Sequence, residues 1–209
     1  MHDGIVILGA GGHAKVVIEL LRDAGEQVAV CVGGADSPDH CLDVRVVKGD
    51  AYLKELRGDG YSRAFVAIGS NRIREEVAGQ VKQLGFSLVN AVSPHASISP
   101  SAKLGSGIAI MAGAVVNAEA VIGDLTIINT GATVDHDCII GQAVHLAPQC
   151  ALAGSVVIED GAFLGIGCKV IPGMRIGVNA VAGAGSVVIE DIPAATTVVG
   201  VPAKIIAQS

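Results

Sequence analysis

Residues 122–152 read IGDLTIINTGATVDHDCIIGQAVHLAPQCAL. An aliphatic side chain returns at every sixth position: Ile122, Ile128, Val134, Ile140, Leu146 and Leu152. Four residues after each of the first five stands a compact one: Thr126, Ala132, Cys138, Val144 and Cys150. The phase runs outward in both directions without a slip. From Val92 to Val188 every sixth residue is Val, Ile or Leu, with Ala182 the exception. Strand side chains alternate between faces, so each hexad predicts a short strand that points one aliphatic and one small side chain inward. Glycine follows the aliphatic at Gly105, Gly123, Gly141, Gly165, Gly177 and Gly183, and is expected to permit the corner. Three hexads close one triangular coil, and stacked coils place like residues in columns. Residues 91–209 are therefore expected to form a parallel β-helix of about five to six coils with a short C-terminal tail.

Composition agrees. The chain has 209 residues, 51% hydrophobic but only 2% aromatic, with 28 glycines and no Trp. Its core must be built from Val, Ile, Leu and Ala. A net charge of −6 argues against nucleic acid as the main partner. No apolar run is long enough for a membrane span, and no basic, hydrophobic leader opens the chain, so a cytoplasmic location is expected. The five cysteines form no CxxC pair. Cys138, Cys150 and Cys168 fall in the small interior slot of the repeat, which predicts packing rather than chemistry. Cys31 and Cys41 stand apart from any pattern.

Residues 1–90 lack the repeat. Strands at 4–8, 27–32 and 64–68 alternate with helices at 14–24, 50–56 and 72–84, which predicts a small parallel α/β domain, Rossmann-like in its sheet. Gly9-Ala10-Gly11-Gly12-His13 forms a strand–turn–helix junction whose backbone N–H groups suit an anion. Gly9, Gly11 and Ala14 fit G-x-G-x-x-A, but the acidic residue that reads an NAD ribose is replaced by Gly33-Gly34-Ala35. A nucleotide-sugar diphosphate fits this turn better than NAD. Gly69-Ser70-Asn71 makes a second turn at a strand end.

Four segments in this order carry a family resemblance: Gly9 to His13, Ile68 to Asn71, Asn129 to Cys138, and Gly200-Val201-Pro202-Ala203-Lys204. The chain resembles the hexapeptide-repeat sugar acetyltransferases, the sialic-acid O-acetyltransferase and nucleotide-amino-sugar N-acetyltransferase group. The resemblance implies a left-handed β-helix, a homotrimer, and acetyl-CoA as co-substrate in a groove between subunits, with no metal. It implies His136 as general base and Asp137 as its orienting acid. It also places Gly154 as donor to the thioester oxygen, His145, Ile166 and Ala184 along the cofactor arm, and Lys204 at its phosphates. Gly11, Gly12, His13, Ser70 and Asn71 would hold the sugar nucleotide, and Asn129 the sugar. The repeat adds that His136 stands at a corner and His145 faces outward, half a coil apart, so one substrate would meet both only across two subunits.

The expected activity is acetyl transfer to the 4-amino group of a nucleotide-linked 4-amino-4,6-dideoxy sugar. O-acetylation of a sialic acid is the alternative within the family. A non-catalytic nucleotide-sugar sensor is the alternative outside it. A β-helical zinc enzyme would need His95, His136 and His145 to converge, which their coil phases oppose.

Overall fold

The computed structural model describes residues 3–208. The chain divides into two compact units, 1–94 and 95–209. The first strand of the repeat, Ala91–Val92, thus falls in the first unit.

The first unit is a six-stranded sheet: β1 (Ile5–Leu8), β2 (Val28–Gly33), β3 (His40–Cys41), β4 (Val44–Lys48), β5 (Arg63–Val66) and β6 (Ser87–Leu88), in the order β3-β4-β2-β1-β5-β6. All neighbours pair parallel except the β3–β4 hairpin. Central β1 is wholly apolar and buried, as a strand covered on both faces must be. Helix α1 (Gly12–Asp23) buries Ala14, Val17, Ile18 and Leu21, one stripe at helical spacing. It ends on Gly25 at φ +81°, where Gly25 N–H donates to Arg22 O and Glu26 N–H to Leu21 O, a glycine-terminated C-cap. Helix α2 spans Ala51–Gly58, and α3 spans Asn71–Gln83. Strands β3, β4 and β6 were not anticipated from the sequence. Cys31 and Cys41 are also not isolated: both are fully buried, and the Cys41 thiol adds to the rise that burial imposes on Cys31.

The second unit is the expected left-handed parallel β-helix. Each hexad contributes a two-residue strand that pairs with the strand eighteen residues on, as in Val116↔Val134, Val134↔Leu152 and Leu152↔Val170. Three parallel sheets result, and from Ile108 to Val170 the interior fills with aliphatic and small residues at 0–3% exposure, while Ile98 and Leu104 at its first coil are half-buried. Of the two polar members of the small slot, Thr126 is satisfied by donating to Gly141 O at 2.8 Å, whereas the buried Ser186 Oγ has no partner among the described residues.

Two expectations need correction. The glycines after the aliphatics do not make the corners. They are required because the next coil lies close: a Cβ on Gly123 would sit 2.6 Å from Gly141 C, and one on Gly165 would sit 2.6 Å from Ala184 N. The left-handed corner comes two residues later. Every sixth residue from Gly107 to Gly185 has φ between +53° and +75°, including Glu119, Leu125, Asp137, Ala143, Gln149, Ser155 and Asn179. The C-terminal segment is also more than a tail. Thr196–Val199 and Lys204–Gln208 form an antiparallel hairpin on the last coil.

All five cysteines are buried, with burial raising Cys31 and Cys168 to about 12 and Cys150 to about 11. A thiol this protected is a poor nucleophile. In the native protein at pH 8, DTNB is expected to label none of the five within minutes, and all of them once denaturant is added. Rapid labelling of the folded protein would contradict the packing role.

Candidate active site

His136 sits two residues past Val134, at the corner between two sheets, where its side chain is 58% exposed. The corner fixes it. Ser155 N–H donates to His136 O at 2.9 Å, and Asp137 N–H donates to Ala118 O at 3.0 Å, so the coils above and below hold both residues of the pair. Asp137 occupies the left-handed position at φ +60°, a conformation Asp tolerates better than most residues. From there its Oδ2 lies 2.7 Å from His136 Nδ1. A carboxylate only accepts, so Nδ1 carries the hydrogen and Nε2 is left as the basic lone pair. On the other side, Asp135 Oδ1 accepts from His136 N–H at 2.8 Å and from Asn117 Nδ2 at 3.0 Å. Asp137's hydrogen bond and Asp135's charge raise the His136 pKa above its ordinary value. Asp135 and Asn117 were not singled out from the sequence. Their signal was the eighteen-residue spacing that stacks them.

Gly154 lies one coil above His136 in the same corner column. A Cβ there would stand 2.6 Å from His136 Cε1 and 2.7 Å from Nε2. Its φ is ordinary, so glycine is required for room and not for conformation. Where Asp135 accepts the N–H of His136, Ala153 offers nothing to the N–H of Gly154. Among the described residues that N–H has no acceptor. A base and an open N–H donor thus share one corner, which suits proton removal beside a carbonyl that gains negative charge.

The remaining β-helix residues gather elsewhere. His145 is half-buried on a sheet face, its ring edge-on to Phe163 with centroids 5.3 Å apart. Asn129 Oδ1 accepts from Thr130 N–H, which turns Asn129 Nδ2 toward His145 Nε2 at 3.1 Å and makes that nitrogen an acceptor. Ile166, 55% exposed, and Ala184 stack eighteen residues apart at the next corner. Within one chain this cluster and the His136 corner lie at opposite ends of one face. Lys204 lies in the C-terminal hairpin, 3.9 Å from Glu190. No group of three or more His, Cys, Asp or Glu able to hold a metal occurs among the described residues.

In the first unit, a cavity of about 250 Å³ opens at the carboxyl ends of β1 and β2, lined by Gly9, Ala10, Gly33, Gly34, Ser37 and Asp50 among others. Gly11 caps α1 without a side-chain bond, and no acidic residue stands in the first turn. Gly12, His13 and Ala14 therefore present N–H groups at an exposed helix start. The His13 ring is turned inward: its Nε2 is buried without a partner, and burial, with Arg74 second, lowers its pKa to about 4. Asn71 also faces the protein, its Oδ1 accepting from Arg74 Nη2 at 2.9 Å. Ser70 remains exposed.

Residues 4–81 match the PglD N-terminal domain. PerB from Caulobacter crescentus, crystallised with CoA and GDP-perosamine, is 54% identical across 99% of both chains, with a TM-score of 0.96. The chain belongs to the nucleotide-amino-sugar acetyltransferase family. The acetyltransferase domain of PglB from Neisseria gonorrhoeae, in complex with acetyl coenzyme A, is 36% identical over 99% of this chain and 100% of that domain, with a TM-score of 0.91. A curated relative, 2,3,4,5-tetrahydropyridine-2,6-dicarboxylate N-acetyltransferase from Staphylococcus aureus (strain bovine RF122 / ET3-1), is 38% identical over 77 residues, 33% of this chain. The chain spans only about a third, 32%, of that relative's length.

The Gly154 contact generates a test. In Gly154→Ala the new methyl displaces an exposed ring and no backbone. Acetyl transfer is expected to fall roughly 100-fold, as for a catalytic group moved by about 1 Å, with the thermal midpoint nearly unchanged. Full activity would show that His136 need not stand over Gly154.

Proposed function

We propose that this protein transfers an acetyl group from acetyl-CoA to the 4-amino group of a nucleotide-linked 4-amino-4,6-dideoxy sugar. The observation that carries this reading is the His136 corner. There a basic Nε2, oriented by Asp137, faces the room left by Gly154. The full-length likeness to a protein crystallised with CoA and GDP-perosamine supports the substrate class.

The sugar amine must shed a proton as it attacks the thioester carbonyl. Nε2 of His136 takes that proton, the Nδ1–H···Asp137 bond holds the tautomer and steadies the imidazolium, and as the C–S bond breaks the proton passes to the departing CoA sulfur, which restores the neutral base. The N–H of Gly154 donates to the carbonyl oxygen as it gains charge. Ile166 and Ala184 give the cofactor's apolar arm an apolar wall. The start of α1 takes the diphosphate on backbone N–H groups, where the α-helix dipole favours an anion.

The base must be neutral to work, so kcat/KM is expected to fall as pH drops through the His136 pKa. Asp137→Ala removes the hydrogen bond that raises this pKa. Its acid limb is expected to shift to lower pH, with a reduced plateau. His136→Ala is expected to lose roughly 10²- to 10⁴-fold in rate while still binding sugar nucleotide. Thiol release from acetyl-CoA, measured against UDP-, GDP- and dTDP-amino sugars and against sialic acid, reads all of this. Release with sialic acid alone would favour O-acetylation, and none at all would favour a sensor.

The two ends of one β-helix face meet one substrate only if neighbouring subunits bring His136 and the Ile166 corner together, as in a homotrimer. Co-expressed His136→Ala and Ile166→Asp subunits are expected to regain activity that neither variant has alone. Absence of recovery in mixed assemblies of the correct mass would count against a shared site.

A further inference from the structure

Among the described residues, the bulkiest fully buried side chain is Arg74, on α3 of the first unit, at 1% exposure. Its position is unusual for a cation, and its bonds explain it. Nη1 donates to Ile68 O at 3.0 Å and to Gly69 O at 3.1 Å. Nη2 donates to Asn71 Oδ1 at 2.9 Å. The backbone N–H of Arg74 donates to Ser70 O at 2.9 Å. One residue thus gathers acceptor groups from four consecutive residues of the turn that follows β5. The Ser70 bond is the ordinary first turn of α3, whereas the other three acceptors are held by the guanidinium. Burial brings Arg74 down only to about 10, so it stays charged at neutral pH. Its charge also reaches His13 on the neighbouring turn after β1, whose ring is half-buried and whose Nε2 has no partner.

We propose that Arg74 is the positioning residue of the diphosphate site, acting from beneath both turns without touching the ligand. Its guanidinium draws the acceptors of Ile68, Gly69 and Asn71 inward and leaves a buried positive charge under the anion. In a poorly hydrated setting that charge acts over a longer range than a surface one. His13 beside it stays neutral and serves as packing, so the turns carry one buried charge and not two. This rests on the assignment of the sugar nucleotide to the first unit. Arg suits the task better than Lys, because its planar fork can hold several acceptors at once.

The test uses the full chain and three probes, GDP, UDP and dTDP, in calorimetric titrations of the unmodified protein, Arg74→Met and Arg74→Lys. For whichever diphosphate the unmodified protein binds, Arg74→Met is expected to weaken binding roughly ten-fold or more. The KM for the amino-sugar nucleotide should rise with it, while the KM for acetyl-CoA stays unchanged. The His13 titration, followed by NMR, is expected to move to higher pH in Arg74→Met. In Arg74→Lys it should remain low, because the charge is kept although the fork is lost. If Arg74→Met does not fold, Arg74→Lys decides alone, through a raised KM for the sugar nucleotide only. A folded variant that binds the diphosphate as tightly as the unmodified protein overturns the proposal. So does a loss that raises both KM values together, which marks Arg74 as structural only. If the unmodified protein binds none of the three diphosphates, the failure lies with the functional reading itself.

Discussion

A backbone dihedral sets the frame of the β-helix. At every sixth residue the chain turns through a left-handed conformation, which costs a non-glycine residue about 1–2 kcal/mol. Seven such residues between Glu119 and Asn179 accept that strain. The return is axial. Most of these turns aim an N–H at the carbonyl of the coil below, as Gly131 does to Ala112 O, Asp137 to Ala118 O and Gly167 to Pro148 O, while Glu119 donates to Ser101 Oγ. The corners are therefore stapled along the axis just as the strands are, and the prism has few loose edges at its vertices.

The proposed chemistry inherits this rigidity. His136 and Asp137 are not loop residues in the usual sense, since both belong to the ladder. The left-handed turn at Asp137 folds its carboxylate back onto the preceding ring. The strict coil spacing then sets Gly154 against that ring and Asp135 against Asn117. An acid, a base and an open N–H donor come together because one column of a regular lattice is read at successive coils. No lid or hinge is needed to assemble them.

Much of this was legible in the sequence, and the failures have physical causes. The aliphatic phase fixed which side chains fill the interior, because only one set of positions can point inward. It placed Cys138, Cys150 and Cys168 correctly for the same reason. The corner residues were misread because glycine serves two purposes in this chain. Gly123 and Gly165 make room for the next coil, whereas the left-handed turn two residues later is Gly at only half of its positions from Gly107 to Gly185 and varied residues at the rest. In the first unit, Arg74 reads in sequence as one more charged residue on a polar helix. Only the fold shows four acceptors of one turn converging on it. The nearness of Cys31 to Cys41 comes from the short β3–β4 hairpin, whose first strand is only two residues long and gives little strand signal. The inward turn of His13 could not be read from a glycine motif.

The C-terminal hairpin has a consequence of another kind. A stack of near-identical coils is a template, and its last coil offers three unpaired strand edges to any similar chain. Thr196–Val199 continues one of them in parallel, and then Lys204–Gln208 runs antiparallel against it. A further coil added by simple translation would meet a strand of the wrong polarity on that edge. Reversing the last strand thus acts as a full stop: the same regularity that builds the enzyme is kept from growing end to end into a fibre.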